Sequence, residues 1–248
     1  MRGVRGLRGS RGIVITAAAV LVGTLATGCD KGSGDAAHGG DGRNGTGPAA
    51  TASRAPEVTE ALAADGTTVR VGSASAKTVV QVYEDLRCPV CKKFETEGGG
   101  EALRELVRSG QVRVEYTLAS FLDARLGGQG SKKAANALRA ALEAGRFAEY
   151  HDVLFAHQPE ESVDGFTDAY LLELASRVKG LRGAGFDRAV KDLKYGDYVA
   201  ASERAFDTSG ATGTPTLKVD GKAVPSSMTG SLFDKEALPL VVGALSQS

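Results

Sequence analysis

Two cysteines three positions apart, Cys88 and Cys91 in the segment CPVC, are the residues of this chain best placed to do chemistry. The chain holds three cysteines in all, the third being Cys29. A close thiol pair can ligate a metal, staple a fold or exchange electrons. Structural zinc takes four ligands, usually from two separated pairs, and no second CxxC is present. The histidines after residue 64 are His151 and His157, six apart and therefore on different faces of one helix. A four-ligand metal site is not expected. A disulfide across so short a loop constrains the unfolded chain little, since stabilisation grows with loop length. Redox exchange is the reading that the spacing favours.

That chemistry needs a strand to deliver the pair and a helix to polarise it. The run KTVVQVYED ends just before the pair, with Val80, Val82 and Glu84 on one side and Val79, Gln81 and Tyr83 on the other. Its β-branched content predicts a central strand covered on both faces. A helix opening at the cysteines puts Cys88 at its N-terminus, where unpaired N–H groups favour a thiolate. Pro89 suits the first turn. Arg87, Lys92 and Lys93 add positive charge, opposed by Glu84 and Asp85. The expectation is asymmetry: Cys88 exposed, acidic and nucleophilic, Cys91 buried and resolving.

The surrounding pattern fills in a domain. TTVRVGS, from Thr67, reads as a first strand and QVRVEYTLAS as a third. Between the CPVC strand and QVRVEYTLAS, helical patterns run either side of the Gly98–Gly100 interruption, giving a βαβ unit. From about Ser131 to Thr208 the periodicity is helical throughout. Ser131 and Thr167 are the expected N-caps, and Ala134, Ala135, Leu138 and Leu142 form one apolar stripe. Strand returns at TPTLKVDGKAVP, where Asp220–Gly221 predicts a hairpin turn. A closing helix follows, weakened by Pro239.

These motifs resemble the DsbA-like thiol-disulfide oxidoreductases of the thioredoxin fold. The pattern of a strand, an acidic residue, Cys-Pro-x-Cys and an aromatic residue is matched by Asp85, Cys88, Pro89, Cys91 and Phe94. The segment TGTPT matches the fold's cis-proline loop, with Thr214 and Pro215 directly before a strand. The helical block matches the insertion of that family, HDVLFAHQ looking like a recurrent stretch of it. The resemblance covers residues 67–248 and implies an α/β thioredoxin-like fold, with a core of residues 65–128 and 209–248 split by a helical insertion over 129–208. It implies catalysis by Cys88 and Cys91 and a docking site shaped by Pro89, Val90, Thr214 and Pro215, with no metal or organic cofactor. Many members carry a buried acid six residues before the first cysteine; Val82 stands there. Glu84 or Asp85 is then the candidate for proton transfer from Cys91, the alternative being a solvated loop acid. The dipeptide is Pro-Val rather than Pro-His, which removes one stabiliser of the Cys88 thiolate and implies a less extreme oxidant. His151 reads as a helix-surface or packing residue.

Residues 1–28 read as a signal peptide. Arg2, Arg5, Arg8 and Arg11 precede a short apolar run, without paired arginines. Its end, LATGC, resembles a bacterial lipoprotein signal: Gly28 and Cys29 match, whereas Ala26 stands where leucine is commonest. The resemblance implies lipidation of Cys29, and two acyl chains suffice for stable anchoring. Residues 29–64 are rich in Gly, Ala, Ser and Asp and read as a flexible tether. The formal net charge of zero gives no reason to expect nucleic acid. The expected partners are protein thiols and disulfides outside the cytoplasm and a membrane redox protein. The expected activity is an oxidase exported to the outer membrane face. Its alternatives are a reductase or isomerase fed by a membrane electron donor, and a non-catalytic binding or chaperone module.

Overall fold

The computed structural model describes residues 57–247. The signal peptide and Cys29 lie outside the described residues. Six strands form one sheet in the order β1-β2-β4-β3-β5-β6. These are β1 (Thr59–Leu62), β2 (Val69–Gly72), β3 (Thr78–Asp85), β4 (Val112–Ala119), β5 (Thr216–Val219) and β6 (Lys222–Ala223). The CPVC-bearing strand β3 is central, as its apolar run predicts. It pairs parallel to β4 from Thr78↔Val112 to Asp85↔Ala119, and antiparallel to β5 on its other side.

The crossover from β3 to β4 contains α1 (Pro89–Thr96) and α2 (Gly99–Arg108). The glycine run does more than interrupt. A side chain at Gly99 would run into the Leu232 carbonyl and the Phe94 ring, and one at Gly100 into Glu95. Only hydrogen fits where α2 turns away from α1.

Between β4 and β5 the chain is helical: α3 (Phe121–Leu126), α4 (Gly130–Glu143), α5 (Phe147–Ala156), α6 (Asp168–Ala175), α7 (Ala184–Lys191) and α8 (Gly196–Thr208). Helix α8 lies against β4, while α5 packs on α1. The two faces of β3 divide accordingly. Val80 and Val82 enter the main core, and Tyr83 joins Ala119 and Phe206 on the α8 side. The chain closes with α9 (Ala237–Ser246), against β5 and α2. Thr167 caps α6 as expected, accepting from the Tyr170 N–H. The hairpin turn is also as expected, with Asp220 at φ 48° and Gly221 at φ 79°.

Four expectations are corrected. Helix α3 begins ten residues ahead of the expected helical block. Ser131 is not the cap of α4, which starts after Gln129. Asp123 on α3 performs that task, accepting from the Ser131 and Lys132 N–H groups at 3.0 Å each, and Ser131 turns its hydroxyl to Asp85. Pro239 does not weaken α9, because it is the third helical residue, where an N–H has no intrahelical partner. Finally, ordered chain begins before the expected boundary at 64. Strand β1 pairs with β2, and its Glu60 carboxylate receives the Phe147 and Ala148 N–H groups at 2.7 and 2.9 Å. A carboxylate on the N-terminus of α5 satisfies donors that Arg146 leaves uncapped.

Candidate active site

The chain leaves β3 at Asp85 and enters α1 at Pro89, so Cys88 is the N-cap of α1, extended at φ −71° and ψ 118°. Cys91 lies one turn on, facing the core at 0% exposure. Pro89 and Val90 are exposed between them. The Thr214–Pro215 bond is cis, and this loop lies over the pair, with the Cys88 thiol 3.4 Å from the Thr214 carbonyl oxygen. Cys88 is therefore less open than expected, at 7% exposure. Beside it Val90 is exposed, and Thr214 and Pro215 are half-buried.

The two thiols differ as the helix N-terminus predicts. The Cys91 thiol donates to the Cys88 sulfur, and with the Thr214 side chain and the Cys91 and Val90 N–H groups it outweighs burial, bringing the Cys88 thiol down to about 6. Cys91 is pushed well above the ordinary thiol range, first by burial, then by its bond to Cys88 and by the negative charges of Cys88 and Glu84.

Glu84 and Asp85 are not solvated loop acids; both are fully buried on β3. Strand alternation sends them to opposite sides. The Asp85 carboxylate accepts from the Ser131 hydroxyl at 2.6 Å, the Arg87 N–H at 2.9 Å and the Leu122 N–H at 3.1 Å. Burial nonetheless pushes it up to about 7. Arg87, itself buried, pairs with Asp123 at 2.9 Å and donates to the Gly127 and Glu161 carbonyls. This network ties the active-site loop to α3, α4 and the loop beyond α5.

Glu84 faces the other way and meets residues that sequence reasoning passed over. Its Oε1 lies 2.5 Å from His151 Nε2 on α5. His151 is 2% exposed, so it is no helix-surface residue. Its ring is packed by Tyr116, Phe147 and Phe155. Burial opposes a charge on the imidazole, but Glu84, Asp152 and Glu95 together hold its proton well above the usual range. Glu95 is also buried, and burial pushes its carboxyl up to about 7 against the pull of His151 and Arg104. Among the described residues, Glu84, Glu95 and His151 bring ligand atoms within 4.8 Å of one another, the spacing a cation would need. Arg104, 3.2 Å from Glu95, and the His151 proton already supply positive charge there. The signal for Glu95 was present in its spacing, four residues after Cys91 on the same helix face. Gln158 was also missed: its amide donates to the Leu86 and Cys88 carbonyls.

A cysteine pair at a helix start, a parallel βαβ unit and a facing cis-proline loop define one architecture. A thioredoxin family model matches residues 64–235. The chain belongs to the thioredoxin family. Within that family its structure is similar to solved DsbA-like thiol-disulfide oxidoreductases. It is similar to the solved reduced DsbA of Mycobacterium tuberculosis, with a TM-score of 0.55 and 25% identity over 72% of this chain and 99% of that one. It is 22% identical to disulfide bond formation protein D of Bacillus subtilis, over 62% of this chain and 68% of that protein. It is 33% identical, over 61% of its length, to a Na(+)/H(+) antiporter, NhaA 3, of Salinispora tropica. The match spans 21% of that antiporter's length. The thioredoxin-family match takes in β2 to β6 and the whole helical insertion. Among the described residues, no helix is long and apolar enough to cross a membrane.

Proposed function

We propose that this thioredoxin-family chain is an exported disulfide donor, held at the outer face of the membrane by lipid on Cys29. Residues 1–28 serve as the signal and the glycine-rich stretch after Cys29 as the tether. A substrate thiolate attacks the Cys88–Cys91 disulfide at Cys88 and expels Cys91 as thiolate, giving a mixed disulfide. A second substrate thiolate then attacks the substrate sulfur and expels Cys88. The substrate gains a disulfide, and the enzyme keeps both electrons as a dithiol. A membrane redox protein takes those electrons back. Pro89, Val90, Thr214 and Pro215 form the docking edge, where an extended peptide can pair with the Thr214 backbone.

The observation that carries the direction is the set of donors around Cys88. A group held as a thiolate near neutrality stabilises the dithiol over the disulfide, and that makes the disulfide oxidising. The test is a redox titration of the full chain carrying Cys29→Ser, equilibrated against glutathione and scored by mass after alkylation. A potential of about −120 to −180 mV is expected for a donor. A value near −270 mV would make it a reductant. The roles of the two cysteines are tested by trapping. Cys91→Ser should accumulate mixed disulfides on a non-reducing gel, and Cys88→Ser should form none.

A further inference from the structure

We propose that Glu84, Glu95 and His151 form a buried site for one divalent ion of the zinc class, made without either active-site cysteine. Each of the three offers a ligand atom within 4.8 Å of the others. All three are buried, at 0%, 3% and 2% exposure. They come from three elements: Glu84 from β3, Glu95 from α1 and His151 from α5. The protein does not use up their donor atoms. Glu84 Oε2 and Glu95 Oε1 are buried without a hydrogen-bond partner. A plain ion-pair network leaves these two oxygens unexplained, and a buried acceptor left open calls for a water or an ion. The proposal does not depend on the direction of electron flow at the cysteines.

The donor set selects the ion. Zinc takes imidazole nitrogen and carboxylate oxygen together in three-ligand sites, whereas calcium and magnesium take oxygen ligands. Zinc holds such atoms at about 2.0–2.2 Å, so tetrahedral ligands stand about 3.4 Å apart. His151 Nε2 and Glu84 Oε1 are 2.5 Å apart, with one proton between them. The ion takes that proton's place and the proton leaves to solvent; shifts of about 1 Å then bring the three ligands to the required spacing. The charges agree. Three carboxylates, Glu84, Glu95 and Asp152, stand around the imidazole against the one guanidinium of Arg104. With the imidazole neutral, the excess of two negative charges is what a divalent ion cancels. The ligands are also supported from behind. Arg104 holds Glu95 at 3.2 Å, Asp152 lies 3.9 Å from His151 Nδ1, and Tyr116, Phe147 and Phe155 pack the ring. A carboxylate near the second ring nitrogen and a fixed ring are the common surroundings of a metal-bound histidine. A cavity of about 200 Å³, lined by His151, Arg104, Asp152 and Tyr116, is bordered by the exposed Val58 and Glu149. It supplies an entry path and room for a water in the fourth position. The ion fastens the strand and helix that carry the cysteine pair to the helical insertion.

The test uses the full chain carrying Cys29→Ser, Cys88→Ser and Cys91→Ser, so that no thiol binds metal and the outcome is independent of the redox chemistry. After dialysis against a chelator and then plain buffer, zinc ion alone is titrated in by calorimetry. One ion per chain is expected, with a rise in the thermal midpoint as zinc is added. Glu95→Gln and His151→Gln should each weaken binding by about tenfold or more and abolish that rise. His157→Gln, outside the cluster, should bind zinc as its parent does. Glu84→Gln takes the place of either variant that fails to fold. Cobalt(II) adds a readout that leaves the cluster intact: bound to the parent, it should exchange the weak spectrum of the hydrated ion for the stronger visible bands of a tetrahedral one. Calcium should not displace zinc. No binding by the parent, a cobalt spectrum that stays that of the hydrated ion, or displacement by calcium would each overturn the site. Binding equal in the glutamine variants would show an adventitious ion only and overturn it too.

Discussion

Gln158 holds Cys88 by its backbone: the glutamine amide donates to the Cys88 carbonyl at 3.0 Å and to the Leu86 carbonyl at 2.8 Å. A residue of the helical insertion thus fixes the loop that presents the cysteine. The Cys88 carbonyl also accepts the Lys92 N–H at 3.1 Å, so the Leu86 carbonyl is the one that loses its donor, and a buried carbonyl left without one costs about 1–3 kcal/mol. Gln158→Ala should lower the unfolding free energy by that order in urea titrations. It should also slow Cys88 alkylation at neutral pH by severalfold, as the N-cap geometry loosens. Unchanged values for both would show that the loop is held without Gln158.

Cys88 reactivity should follow its depressed acidity. Alkylation of Cys88 by iodoacetamide should rise with pH to a plateau with its midpoint near 6, against 9.0 for an unperturbed thiol. The sign for stability follows. A group with a lowered pKa stabilises the folded dithiol form above the unfolded value and loses that effect as pH falls through the folded value. The stability gap between the dithiol form and Cys88→Ala should therefore shrink from pH 9 towards pH 6 and vanish below it. A midpoint near 9 would remove the basis for calling the disulfide oxidising.

Asp85 predicts the opposite slope. Burial pushes its carboxyl up to about 7 from 3.8, so the folded state binds this proton more tightly than the unfolded chain. The associated stability is fully present below about pH 4 and lost as pH rises through 7. Asp85→Asn removes the titration and keeps one acceptor oxygen for the surrounding donors. It should flatten stability between pH 4 and 7 and gain about 1 kcal/mol or more over the parent at pH 8. Chemical denaturation at pH 5 and pH 8 reads this directly; an equal loss at both values would show that the carboxylate serves only as an acceptor.

Gly99 is predicted to reject even a methyl group. An added Cβ would meet the Leu232 carbonyl and the Phe94 ring, both in the interior against which α2 packs. Overpacking of this kind costs about 1–3 kcal/mol. Gly99→Ala should lower the thermal midpoint accordingly, while Gly145→Ala, with open space around it, should be limited to the strain of its positive φ of 61°. A Gly99→Ala midpoint equal to the parent's would mean that the Phe94 ring yields freely.

Local pattern determined a good deal. The β-branched run of residues 78–85 marked the central strand, the Asp220–Gly221 pair marked the hairpin, and CPVC after a strand placed a cysteine pair at a helix start. Each is a short-range property, set by side-chain alternation, turn sterics or helix-end donors, and each can be read within a few residues. The resemblance to DsbA-like proteins extended this to the split core and the facing Thr214–Pro215 loop. Tertiary structure decided what depends on contacts distant in the chain. Glu84 and Asp85 are adjacent acids in one strand, and only the packing of α5 on one face and α4 on the other gives them different partners. His151 looked like an ordinary helix residue because its partner lies 67 positions away. Glu60 sat in a stretch with the composition of a tether, yet the uncapped start of α5 draws it into order. Buried charge is the common reason. Its energy is fixed by the groups that surround it in space, and the order of residues along the chain does not contain that arrangement.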